Sequence, residues 1–432
     1  MGRRRHVRLA GALVAVLALS GCWPVPGQNA DRTAHNPFES ALTPATVGGL
    51  GELWSTDIGD AAVTGPIVAA GGVVATAGTD VHRVDAATGD HDWTWTPDHP
   101  WVDLMEVSAP FALGRRLLVG YGFGNSGGGW YGAWLDPGTG AVADDAPVAG
   151  LVEGARGTQA VSYAYSLSGV TVPVVVGYRV TDLHTGDGSG GLLTFSGGIE
   201  RPRGLTLGTA RAYHAGDGIV SPVEPDGTPV LGQGVRALPV SGGSNDCGPF
   251  PLELTCPLWV TEVGGTPTAA VMGPGETTIY VGTSAGAVTA LDAATGTELW
   301  TVDVGAAVTE PPALAGGVLY AGTASGDLVA VAADGCGQPT CQALWTATTG
   351  TAAIATQPAV AGPATDAVVY AATTAGDVVA FAAAGCGEAT CDAPLWSATT
   401  GSAITGGPIV VSGRVHLGTG DGRLVTYGLP AP

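Results

Sequence analysis

The chain has 432 residues, 71 of them Gly, with a formal net charge of -21 and only 12% charged residues. All 16 basic residues are Arg, which removes a Lys Schiff base and a P-loop lysine, and the acidic balance has the wrong sign for a phosphate-backbone binder. A hydrophobic share of 45% is enough for a large core, so a disordered acidic polymer is excluded, as is collagen, because the glycines lack a three-residue period.

Arg3, Arg4, Arg5 and Arg8 open the chain without an acid, and Leu9 to Leu19 follow as an apolar stretch too short to span a bilayer comfortably. Leu19-Ser20-Gly21-Cys22 then resembles a bacterial lipobox, where two small residues fit the peptidase and the Cys receives a diacylglycerol. The resemblance implies a lipoprotein signal peptide over 1–21, lipidation of Cys22 and anchoring in the cell membrane, facing its extracytoplasmic side. An ordinary signal peptide with a chance Cys is the alternative. Because 1–21 hold Arg but no acid, the exported part is more acidic than the whole. Pro24, Pro26, Gly27, Asn29, Asp31 and Pro37 have no periodicity, so 22–48 is expected to be a flexible tether.

From residue 49 the chain repeats itself. Pro66-Ile67-Val68-Ala69-Ala70-Gly71-Gly72-Val73-Val74 returns at Pro312 to Tyr320 and at Pro408 to Val415. Tyr280-Val281-Gly282-Thr283 returns as Tyr320-Ala321-Gly322-Thr323 and Tyr370-Ala371-Ala372-Thr373. Each piece is an apolar alternation, a Gly-bearing turn and a second alternation, the signal of a β-hairpin. Unit starts fall near 66, 109, 160, 221, 268, 312, 358 and 408, giving eight units.

The most regular unit is Ala290-Leu291-Asp292-Ala293-Ala294-Thr295-Gly296-Thr297-Glu298-Leu299-Trp300. It resembles the tryptophan-docking repeat, A-x-D-x-x-T-G-x-x-x-W, of pyrroloquinoline-quinone-like β-propellers. Asp85, Thr88, Gly89 and Trp93 form a second copy, Leu135 to Gly140 a third without Trp, and Asp182-Leu183-His184-Thr185-Gly186 a worn fourth. Asp, Thr and Gly make the tight turn, and Trp93, Trp300, Trp345 and Trp396 are expected to cover the seams between blades. The resemblance implies an all-β, eight-bladed propeller of four-stranded antiparallel blades over 49–428. The last unit ends at Val425-Thr426-Tyr427 without a Trp strand, whereas Leu53-Trp54-Ser55 matches Leu395-Trp396-Ser397. The N-terminal strand is therefore expected to close the ring.

Of seven Cys, six remain after Cys22, as three local pairs. Cys247 and Cys256, Cys336 and Cys341, and Cys386 and Cys391 each precede a Leu-Trp where other units carry the Asp-Thr-Gly turn. Disulfides across hairpin loops in an oxidising compartment are expected. Zinc would want a second pair or a His beside each, and none is adjacent.

The family includes quinoprotein dehydrogenases with quinone and Ca²⁺ on the propeller axis. For these the resemblance implies two adjacent Cys, acidic and Asn ligands and an Asp base. This chain has no Cys-Cys, and of its Asn residues Asn29 and Asn36 lie in the expected tether. No cofactor, metal or catalytic residue is expected. His82, His91 and His99 share a unit, but their spacings do not place them on one face, so they are read as solvated or turn histidines. Trp95 and Trp101, in His91-Asp92-Trp93-Thr94-Trp95-Thr96-Pro97-Asp98-His99-Pro100-Trp101, and Trp130 after Gly127-Gly128-Gly129 are candidates for a partner surface. Packing of these rings beneath their loops is the alternative.

The expected function is a non-catalytic, monomeric, lipid-anchored propeller scaffold that binds a protein or serves envelope assembly, with no nucleic acid. It is similar to the propeller lipoprotein of the outer-membrane β-barrel assembly machinery. A quinone-dependent dehydrogenase and a cell-wall glycan-binding module are the alternatives.

Overall fold

The computed structural model describes residues 22–98, 104–123, 129–166, 175–194, 203–221, 230–240, 257–337 and 340–430. Their regular structure is β, apart from short 3-10 turns at Val47–Gly49 and Pro274–Glu276. No helix among them is long and apolar enough to cross a membrane.

The strands form eight sheets, each built around four antiparallel strands. Blade 1 comprises Val63–Ala69, Gly72–Ala77, Asp80–Asp85 and His91–Trp95. The later blades begin at Leu104, Leu151, Arg203, Val271, Ala313, Ala359 and Ile404. The third and fourth starts therefore lie upstream of the expected 160 and 221. Gln159–Ser166 is the second strand of blade 3, and Arg211–Ser221 the second strand of blade 4. Alternation alone does not distinguish a first strand from a second, and blade 3 has no Trp among its described residues to fix the phase.

Blade 8 takes its fourth strand from the other end of the chain. Gly51–Asp57 pairs antiparallel with Arg423–Gly428, Trp54 opposite Thr426 and Asp57 opposite Arg423. Ring closure by the N-terminal strand thus holds, and it leaves the last strand without a free edge.

The core lies at the seams between blades and is built mostly of Val, Ala and Leu. Small side chains let the inner strands converge on the axis, and the large rings sit further out. Trp93, Trp300, Trp345 and Trp396 are each 8% exposed or less, and each reaches toward the blade that follows. The Trp93 indole N–H donates to Pro137 O at 3.1 Å, and that of Trp396 to Leu50 O at 3.0 Å. The glycine of the receiving turn has two jobs. Gly140 sits at φ +70°, and a Cβ there would lie 2.7 Å from the Trp93 ring, so only glycine admits both the turn and the indole. Asp292 makes the turn by accepting from Ala294 N (3.0 Å), Thr295 N (2.8 Å) and the Thr295 hydroxyl (2.9 Å). Those bonds, from Thr295 first, hold its carboxyl below the usual range. Asp85 does the same with Ala87 and Thr88.

Cys336–Cys341 and Cys386–Cys391 are disulfides, with Cα atoms 5.6 and 5.7 Å apart. Cys247 and Cys256 lie outside the described residues. The bridged loops extend the sheets. Thr340–Cys341, from the loop of blade 6, pairs parallel with Thr301 and Val302 of blade 5, and Thr390–Cys391 pairs likewise with Thr346 and Ala347 of blade 6. Each bridge thus holds a short fifth strand over an outer edge that would otherwise expose backbone. Opening either should cost about 2 kcal/mol by the chain-entropy model. A reductant is expected to lower the melting temperature of the wild type more than that of a C336S/C341S/C386S/C391S variant; equal shifts in both would refute this.

Residues 22–48 are not a flexible tether. Trp23 is 3% exposed, and Leu42 and Val47 are fully buried. The segment straps one mouth of the ring and touches every blade. Trp23 and Val68 exchange backbone hydrogen bonds at 2.9 Å, and Ala112 N donates to Pro24 O. Arg32 donates to Glu153 O and Leu205 O. Met272 N, Leu314 N and Val360 N donate to Asp31 O, Thr33 O and Ala34 O. Asn36 Nδ2 donates to Val410 O at 3.0 Å. The first strand of a blade has an inner edge with no neighbouring strand, and the strap satisfies those orphan backbone groups. Pairing through backbone needs no side-chain periodicity, which is why its sequence looks like a linker.

Candidate functional site

The strap lies against a cavity ringed by the inner ends of the blades. This cavity, about 750 Å³, has the strap residues Trp23, Arg32 and Ala34 on one side and, on its walls, Pro66 and Pro408 of first strands and Pro311 just before one. Proline is tolerated there because the inner edge has no ladder partner for its missing N–H. The charged side chains of the cavity are Arg32, Glu153 and Glu310. Arg32 lies 3.6 Å from the Glu153 carboxylate and also bonds two carbonyls, and burial lowers its pKa. Gln357 Nε2 donates to Arg32 O (2.8 Å) and Pro312 O (3.0 Å), which ties the strap to the wall. Glu310 lines the wall as well.

The quinone and Ca²⁺ of the dehydrogenases in the resembled family do not fit these walls. A divalent oxygen-ligated ion needs several gathered carboxylates or carbonyls. Among the described residues no three His, Cys, Asp or Glu side chains are placed to share a metal. The cation Arg32 already engages Glu153, and the one indole lining the cavity, Trp23, is fixed at the strap.

Outside the axis, Trp95 is half-buried and meets Tyr121 edge-on, ring centroids 5.7 Å apart at 75°. Tyr121 stacks on Tyr131 at 5.7 Å and 26°, and Tyr131 is 40% exposed. Three rings thus run across the seam of blades 1 and 2 into solvent. Burial, then Asp145, pushes the Tyr121 hydroxyl up, so it stays protonated. Trp130 is half-buried and lies over Gly122, where a Cβ would come within 2.4 Å of its ring, and it packs against the core of blades 3 and 4. It is a packing residue rather than part of the ladder. Trp101 lies outside the described residues. Tyr121 and Tyr131 were not singled out in the sequence; their signal was the run Trp130-Tyr131-Gly132-Ala133-Trp134, whose alternation turns Tyr131 outward.

Cys22 is half-buried beside Trp23, and burial raises the pKa of its thiol. Two of the blade 1 histidines meet, contrary to the expectation from spacing. His82 is 6% exposed, and its Nδ1 lies 3.4 Å from His91 Nε2. His99 lies outside the described residues.

No curated protein matches the chain. Solved structures share its fold. The quinohemoprotein alcohol dehydrogenase from Comamonas testosteroni aligns with 97% of this chain and 83% of its own, at 15% identity and a TM-score of 0.65. BamB from Moraxella catarrhalis covers 88% of this chain with 99% of its own, at 16% identity and TM-score 0.52. The computationally designed protein Ika8 covers 87% with 99% of its own, at 17% identity and TM-score 0.58. At these identities the likeness is one of fold. The model of the family described as outer membrane protein assembly factor BamB matches residues 50–195 and 256–430, more than half of the sequence, and the chain belongs to that family of PQQ-like β-propellers.

Proposed function

We propose that this protein is a lipid-anchored, non-catalytic scaffold on the extracytoplasmic side of the membrane, and that it holds a protein partner on the outer seam of blades 1 and 2. The observation that carries this reading is the ladder Trp95–Tyr121–Tyr131, which leaves an aromatic ring exposed. Seam tryptophans elsewhere, such as Trp300 and Trp345, are buried. Exposed aromatics on a rigid scaffold are typical interface anchors. The family match supports a scaffold in envelope assembly, and the poor fit of the axial walls to quinone and Ca²⁺ supports the absence of redox chemistry. Cys22 at the end of a lipobox-like run supports the anchor.

A photo-crosslinking residue in place of Tyr131, expressed in the native envelope, should capture a protein, and W95A should weaken that capture at least tenfold without lowering the melting temperature by more than a few degrees. Capture unchanged by W95A would overturn the surface, and retention on cell-wall glycan in place of protein capture would favour the glycan reading. C22S should move the chain from the membrane fraction to the soluble one.

A further inference from the structure

Blade 1 gathers two imidazole nitrogens and a hydroxyl at positions where blades 5 to 8 carry no imidazole. In its outer hairpin Val81 faces Trp95, His82 faces Thr94 and Arg83 faces Trp93, but Val84 faces His91, because the register shifts between Arg83 and Val84. Strict alternation would put His91 on the face of Trp93, opposite to Thr94. The extra residue in the bulge reverses that parity. His82 Nδ1 therefore lies 3.4 Å from His91 Nε2, and Thr94 Oγ1 lies 3.1 Å from each. The two rings meet at 65°.

The same three positions exist in other blades. In blade 5 they are Thr289, Thr301 and Glu298; the two hydroxyls are 3.0 Å apart, and Thr301 donates to Glu298 at 3.2 Å. The pair matching His82 and Thr94 is Val329 and Thr346 in blade 6, Val379 and Ser397 in blade 7, and Val425 and Ser55 in blade 8. The fold thus fixes the geometry and keeps a hydroxyl at the second position. At the first, valine suffices in three blades. An imidazole in that buried slot carries a desolvation cost that valine avoids, so packing does not account for His82.

Hydrogen bonding accounts for part of the cluster: the Thr94 hydroxyl accepts from one ring N–H and donates to the other ring's lone pair, which leaves the 3.4 Å nitrogen pair unbridged. Each ring nitrogen carries either a hydrogen or a lone pair, so no choice of tautomers makes all three close contacts into good hydrogen bonds. A cation would accept all three lone pairs together. Metal–ligand bonds of about 2.0–2.1 Å in a tetrahedral site set ligand atoms about 3.3 Å apart, and the observed separations are 3.1, 3.1 and 3.4 Å. His91 and Thr94 are exposed, so the centre is open to solvent. No third His, Cys, Asp or Glu joins them among the described residues, so water completes the shell.

We propose that the outer hairpin of blade 1 binds one borderline divalent transition-metal ion through His82 Nδ1, His91 Nε2, Thr94 Oγ1 and water. Imidazole donors suit Zn²⁺, Cu²⁺ and Ni²⁺, and Cu²⁺ stands first in affinity. Cu²⁺, and separately Zn²⁺, is titrated calorimetrically into the full chain after treatment with a chelator. One equivalent is expected to bind, Cu²⁺ more tightly. H82V, which carries the residue of blades 6 to 8, and H91Q should each weaken binding at least tenfold at an unchanged apo melting temperature. T94S and H184Q should bind as the wild type does. The electron paramagnetic resonance of the Cu²⁺ form should report two nitrogen ligands, reduced to one in H91Q. Wild-type affinity in both H82V and H91Q, or no stoichiometric binding in the wild type, would overturn the site.

Discussion

Replacing Gly51–Asp57 with a Gly/Ser linker of equal length is expected to abolish cooperative unfolding, even though the strap that precedes it stays attached. The strand provides the outer partner of Arg423–Gly428 and fixes the seam between blades 8 and 1. Trp54, 8% exposed, donates from its indole to Ala86 O at 3.3 Å, and Thr56 donates to Gly89 O. Gly89 makes room for the ring, since a Cβ there would lie 2.6 Å from it. On the other side Leu50 O receives the Trp396 indole. Blades 8 and 1 therefore lose contacts at once, and an open ring exposes an apolar seam and a bare edge. The point variant W54A should cost about 3–5 kcal/mol, the range for truncating a buried aromatic. Urea unfolding followed by circular dichroism measures both. A linker variant that melts in one sharp transition at the wild-type temperature would show that the last blade is stable with three strands.

What the sequence revealed follows from how each feature is held. The closing strand was legible because Leu53-Trp54-Ser55 carries side chains that must fill a seam, and a seam imposes the same residues wherever it recurs. The docking turns were legible for a similar reason: Asp292, Thr295 and Gly296 are dictated by a local loop and by the Trp259 ring laid against Gly296. The strap was not legible, because it binds through carbonyls such as Asp31 O and Thr33 O, which any residue supplies. The Tyr280 and Tyr320 hydroxyls, which donate across seams to Ala333 O and Ala383 O, stood within recognised repeats, but their partners belong to the next blade; Tyr213, which donates likewise to Ala293 O, lies outside those repeats. The His82–His91 pair was hidden by one bulge residue, since pairing arithmetic assumes a period of two. The aromatic ladder was half legible: Trp95 stood out by composition, but its continuation through Tyr121 and Tyr131 depends on which strands meet at a seam.

Stability should fall as pH drops from 6.5 toward 4.5, before most carboxylates protonate. His416 is 1% exposed, with Nδ1 2.7 Å from Thr426 Oγ1. Burial, and then the nearby Arg414, bring its pKa down to about 3. His214 is fully buried, and its Nδ1 accepts from Arg236 Nε at 3.3 Å. Protonating that nitrogen would remove the acceptor and set a second cation against the first, and burial followed by Arg236 lowers the His214 pKa well below 6.5. In the unfolded chain both rings take up a proton near pH 6.5. The unfolded state therefore binds more protons between the two pKa values, and stability rises with pH across that window. It is full above about pH 6.5 and declines below it by about 1.4 kcal/mol per pH unit for each ring that stays neutral. His35 and His82, whose pKa values are lowered by burial, act in the same direction. Asp85, Asp182, Asp292 and Asp421 have carboxyls held below their usual range by hydrogen bonds, so their losses come at more acid pH. Urea-unfolding free energies from pH 7 to 4.5 should thus slope steeply in the wild type and less in H416Q, by about 1.4 kcal/mol per pH unit. An H416Q slope equal to that of the wild type would mean that His416 titrates alike in both states, and that its place beneath Trp54 is open to water.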